Sequence, residues 1–124
     1  MAPRSALVLI DVYNDFLHPN GKATGALSES LKDSNTIKHL EEALQSARKH
    51  NVPIYYSLHQ QYHDGKYAGF ERWNAMLESI QQTRGFELGS WGAEVYASLE
   101  PKSEKGDTVI SKHWNQRLVL KACQ

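Results

Sequence analysis

Two apolar runs separated by one amphipathic stretch set the strongest constraint on how this chain folds. The first run, "ALVLIDVY" at residues 6–13, is apolar at successive positions up to Asp11. That is the pattern of a strand buried on both faces, and hence of a central strand in a parallel sheet. Between about Ser34 and His50, Ile37, Leu40, Leu44 and Ala47 recur at three- and four-residue steps, with Lys38, Glu41, Glu42, Gln45, Arg48 and Lys49 on the other side. This spacing predicts a helix lying on a sheet. Asn51 ends it, and Pro53 opens "PIYYSLH", a second strand of aromatic and β-branched residues. Strand, helix and strand make a βαβ unit with parallel strands and a right-handed crossover.

The remaining segments extend that unit. "NDFLHPNGKATGALSES" is rich in Asn, Gly, Ser and Pro without sustained periodicity and reads as a long loop, as does "QQYHDGKYAG". "FERWNAMLESIQQ" reads as a helix burying Phe70, Trp73, Met76, Leu77 and Ile80, and "GSWGAEVYASLEP" as a short helix stopped by Pro101. "GDTVISK" is a third strand after a Gly-Asp turn. The order β-α-β-α-α-β predicts an α/β fold with a parallel, helix-covered sheet, and 124 residues make one domain.

Composition removes several function classes. Fourteen Lys and Arg balance fourteen Asp and Glu, so neither nucleic acid nor an anionic membrane finds an electrostatic footprint. The first apolar run is too short to span a bilayer and precedes no small-residue cleavage site. A single cysteine, Cys123, excludes an internal disulfide and fits a reducing compartment, so a cytoplasmic protein is the default expectation.

Ligands of open parallel sheets bind at the carboxyl ends of the strands, which draws Asp11, His59 and Lys112 towards one place. A carboxylate inside an apolar strand is costly unless it is paired or set at a wet cleft, and a lysine ending another strand is its natural counter-charge. The residues alone leave two readings open: a structural ion pair, or a working acid–base pair.

"ALVLIDVYNDFLHPNG" resembles the opening strand and loop of the isochorismatase-like cysteine hydrolases, which include nicotinamidases and related amidases. "GSWGAEVYASLEPKSEKGDTVISKHWN" resembles the same family's approach to its catalytic lysine, and the likeness is collinear from about Ala6 to Asn115. The resemblance implies a three-layer, Rossmann-like parallel-sheet fold, of which this chain carries the N-terminal portion: about three strands with covering helices, the family's strand order resembling 3-2-1-4-5-6. It also implies an Asp-Lys-Cys triad that hydrolyses a small amide or related substrate. Asp11 matches the aspartate that takes the thiol proton, Lys112 the lysine that favours the thiolate, and Phe16, His59 and Trp91 are expected to line the substrate pocket.

After Asn115 the likeness stops, and residues 116–124 form a divergent tail, "QRLVLKACQ". The family sets its cysteine at a helix start, where backbone N–H groups stabilise thiolate and oxyanion; Cys123, one residue from the last, is expected to be an incidental thiol. The chain is therefore expected to lack the nucleophile and to be inactive, or to bind a second copy or a full-length relative through an exposed sheet edge. A third alternative is a product too incomplete to fold stably. His59 and His63 stand at a chelating spacing, but Ser57 occupies the position of the family's carboxylate ligand, so neither metal nor other cofactor is expected. Trp73 and Trp91, at helical spacing with Met76, Leu77 and Val95, read as core residues.

Overall fold

The computed structural model of the chain describes residues 4–71 and 74–111. Its elements are β1 (Leu7–Ile10), α1 (Asn14–Leu17), α2 (Ser28–Asp33), α3 (Thr36–Lys49), β2 (Ile54–Leu58), α4 (Ala75–Thr83) and β3 (Thr108–Ser111). β1 and β2 run parallel with Leu7 opposite Ile54 and Ile10 opposite Ser57, and β3 adds in parallel with Ser111 opposite Leu58. The sheet order is β1-β2-β3, so both connections step the same way across it.

Helix α3 buries Leu44 and Ala47 and packs Ile37 and Leu40 against the same core, which is the face its periodicity marks. Arg48 in its last turn complements the negative end of the helix. The guanidinium also donates to Asp107 Oδ2 at 2.7 Å, holding the chain in place just before β3. Leu9, Tyr56 and Leu99 sit at the centre of the core, and the Tyr56 hydroxyl donates to the Leu99 carbonyl at 2.7 Å.

Several local expectations change. β1 ends at Ile10 and does not continue to Tyr13, because Asp11 takes a left-handed φ of 54° and turns the backbone. The expected loop after it contains α1, α2 and a 3-10 turn at Thr24–Ala26. α4 starts at Ala75, not Phe70: the Asn74 side chain accepts from the Leu77 N–H at 2.9 Å and fixes the helix start there. With that start Leu77 and Ile80 face the core, and Met76 falls on the exposed flank. Trp73 lies outside the described residues.

The predicted helix after Gly89 is instead two 3-10 turns, Trp91–Ala93 and Ala97–Leu99. The backbone between them is engaged elsewhere: Asn14 N–H donates to the Glu94 carbonyl and Tyr96 N–H to the Val12 carbonyl, both at 2.9 Å. Groups committed to the strand-end loop are lost to a helix.

β1 is not buried on both faces. Leu9 is buried, but Val8 is 51% and Ile10 61% exposed, and Tyr55, opposite Val8 on β2, is also exposed. Among the described residues β1 is an outer strand, and helices cover only the Leu9–Tyr56 face. No helix among them is long and apolar enough to cross a membrane.

Candidate active site

The carboxyl ends of β1 and β2 are joined through four residues, Asp11 and Tyr13 on one side and Ser57 and His59 on the other. Asp11 N–H donates to the Ser57 carbonyl at 3.1 Å, and its own carbonyl accepts from Tyr13 N–H at 2.8 Å. The tight reversal presents the half-buried Asp11 side chain at the strand end. Two residues on, the Tyr13 hydroxyl donates to the His59 carbonyl at 2.8 Å, tying the β1 loop to the end of β2. Burial, and then the negative charge of Asp11, push the Tyr13 phenol up to about 12, so it stays protonated and keeps donating.

Phe86 forms the wall beside these strand ends. Its ring lies 4.6 Å from Phe16, 5.1 Å from His59 and 5.9 Å from Tyr13, centroid to centroid. Like Asp11 it holds a left-handed φ, 54°, which is unfavourable for a bulky side chain and needs external restraint. That restraint is Asp15. Its Oδ2 accepts from Phe86 N–H at 2.8 Å and its Oδ1 from Lys22 N–H at 3.0 Å, and the side chain is 2% exposed.

The clamp also requires Gly92, because a β-carbon there would overlap the Asp15 carboxylate. The Phe86 carbonyl accepts from Tyr62 N–H at 2.8 Å, so the backbone is held from both sides. Arg84 bridges Asp64 and Glu87 around it and holds both carboxyls below their ordinary range.

Of the residues expected at the site, Phe16 and His59 meet on Phe86, and Asp11 sits at the carboxyl end of β1, two residues before Tyr13. His59 is 2% exposed and its Nδ1–H donates to the Gln60 carbonyl at 2.7 Å. Trp91 is elsewhere: its ring meets His18 edge-on at 4.7 Å, and at 46% exposure it is no core residue. The 3-10 turn that replaces the expected helix leaves it on the surface. Lys112 and Cys123 lie outside the described residues; β3 ends at Ser111, one residue before the lysine.

His63 directs its Nδ1 to the Asp64 carbonyl at 2.9 Å, and no group of three metal-ligating side chains occurs among the described residues. Tyr13, Asp15 and Phe86 were not singled out from the sequence. Asp15 carried one signal, a carboxylate set directly before the apolar pair Phe16 and Leu17, whereas "RGFELG" around Phe86 carried only its glycines.

The isochorismatase domain model matches residues 5–117. The chain belongs to this family. Its fold is shared with the crystal structure of N-carbamoylsarcosine amidase from Thermoplasma acidophilum, at TM-score 0.54 and 24% identity over 87% of this chain and 51% of that one. A cysteine hydrolase from Pseudomonas syringae pv. phaseolicola 1448A is similar at TM-score 0.56 and 26% identity, over 88% of this chain and 46% of that one. The chain thus spans about half the length of these solved relatives. No curated protein matches it. The isochorismatase match takes in both quoted stretches and the βαβ unit between them, so the fold and the strand-end position of Asp11 are read on one frame.

Two outcomes follow from this geometry. Asp15→Asn puts a donor against a buried backbone donor and Gly92→Ala overfills the clamp; each is expected to lower stability by about 2 kcal/mol in urea denaturation. The Tyr13 phenol has a folded value of about 12 against an ordinary 10, so it contributes stability that is complete below pH 10 and is lost as pH rises towards 12. Tyr13→Phe is expected to remove that part of the alkaline decline in a series of melts across this range.

Proposed function

We propose that this chain carries the aspartate and lysine of a cysteine-hydrolase site for a small amide or related substrate, and that by itself it does not turn that substrate over. The observation that carries the reading is Asp11. It stands in a left-handed turn at the carboxyl end of β1, its N–H donates to the Ser57 carbonyl of β2, and two residues on Tyr13 stacks on Phe86, the ring that Phe16 and His59 also meet. Open α/β sheets place their chemistry at such ends.

In the proposed reaction Asp11 takes the proton of a cysteine thiol, and Lys112, the residue after β3, stabilises the thiolate by its charge. The thiolate attacks the substrate carbonyl carbon, the amine leaves with a proton, and water hydrolyses the resulting thioester to acid and thiol. Phe16 and His59 border the apolar side of the substrate. Trp91, whose ring contact is with His18, is assigned to the entrance. The one cysteine of these 124 residues, Cys123, stands after the stretch that the isochorismatase model matches, and it is assigned no part in the reaction.

The test is ammonia release from N-carbamoylsarcosine and from nicotinamide by the 124-residue chain. The expected result is no release above the blank. Release that Cys123→Ala abolishes would make the chain a complete hydrolase and overturn the reading.

A second reading, a binding partner for another copy or a full-length relative, is favoured by the exposed Val8, Ile10 and Tyr55 and by the outer edge of β1. It predicts a dimer by light scattering that the double change Val8→Lys and Ile10→Lys converts to monomer. A wild-type monomer at all concentrations would exclude self-association.

A further inference from the structure

Away from the strand ends, the segment after α1 folds back on the start of α3 and leaves an open cleft of about 620 Å³ between them. Asp11, Phe16, His59 and Trp91 do not line it, and its size is that of small-molecule sites, roughly 300–1,000 Å³. The floor is apolar: Leu17 is buried, and Leu31, Ile37 and Tyr96 pack on the main core while staying partly open. Thr24 also reaches the floor, but its hydroxyl is directed to the His18 and Asp15 carbonyls at 2.5 and 3.2 Å. A bound molecule therefore meets mainly hydrocarbon inside, with Ser28 and Asn35 the remaining polar side chains besides the charged ones.

Charge stands at the rim. Lys32 comes from α2 and Lys38 from α3, with Glu41 one turn further along the α3 wall. Lys38 Nζ is 3.9 Å from Glu42 in a pair open to water, a weak contact that a better-placed anion can displace. Lys32 enters no ion pair among the described residues.

We propose that this cleft binds a small monocarboxylate with an apolar body, its hydrocarbon or aromatic end against Leu17, Leu31 and Ile37 and its carboxylate between Lys32 and Lys38. Glu41 on the wall disfavours a second negative charge, so a dicarboxylate of equal length binds more weakly. The site is independent of the hydrolase reading and goes beyond it.

The experiment is a titration of the 124-residue chain with sodium octanoate, followed in the two-dimensional amide NMR spectrum. Saturable shifts are expected at Thr24, Leu31, Ile37 and Tyr96. The double variant Lys32→Glu and Lys38→Glu, changed only at exposed positions, is expected to bind about three- to tenfold more weakly. Raising the salt to about 0.5 M, which shortens the screening length, is expected to weaken binding in the unmodified chain as well. Octylammonium binding as tightly as octanoate, shifts centred on Val8, Ile10 and Tyr55, or no saturable shift would each overturn the proposal.

Discussion

The Asp15 carboxylate is the contact on which the rest of the candidate site depends. Each of its oxygens accepts one backbone N–H, from Lys22 and from Phe86, and the group is shut away from solvent beside Gly92. A buried carboxylate is tolerable only when hydrogen bonds replace its lost hydration. Those two bonds draw the strand-end loop, the segment behind it and the 85–92 stretch into one unit. Phe86 can then keep a strained backbone and present its ring to Phe16, Tyr13 and His59. The aromatic wall is thus the outcome of an electrostatic requirement met in the loop beneath it.

The sheet is supported unevenly. On one face α3 contributes Leu44 and Ala47 to a core centred on Leu9 and Tyr56, which Leu77 and Ile80 of α4 join; on the other, Val8, Ile10 and Tyr55 meet solvent. Parallel strands are ordinarily covered on both faces, because apolar side chains project both ways from them. The chain spans about half of its solved relatives, and among the described residues the sheet has helices on one face.

The βαβ unit was legible because its two periods are unambiguous: a continuous apolar run, then a 3.6-residue stripe through Ile37, Leu40, Leu44 and Ala47, then another run. Asp11 was legible because a charge in such a run stands out. Elements whose ends are decided by one side chain or a distant backbone contact were misread. α4 begins where Asn74 caps it, and the Gly89–Pro101 segment gives its hydrogen bonds to Val12 and Asn14 where a helix would have kept them. The Asp15 clamp was least visible of all, since its partners lie 7 and 71 residues away and are backbone amides, which every residue type offers alike. Lys112, the other half of the expected acid–base pair, falls outside the described residues, so its place rests on the family pattern.

The left-handed turn at Asp11 has a consequence for heredity as well as chemistry. At a φ of 54° a side chain with a branched or bulky β-carbon is disfavoured, and Gly, Asn and Asp are the residues that accept the conformation readily. Selection acting only on the shape of this turn would therefore hold the position to three amino acids, one of them the carboxylate found here. An aspartate there is one of the few residues that drift under a purely architectural constraint would retain. A glycine or asparagine at the same turn in a relative would be the mark of a lineage that has kept the bend and given up the charge.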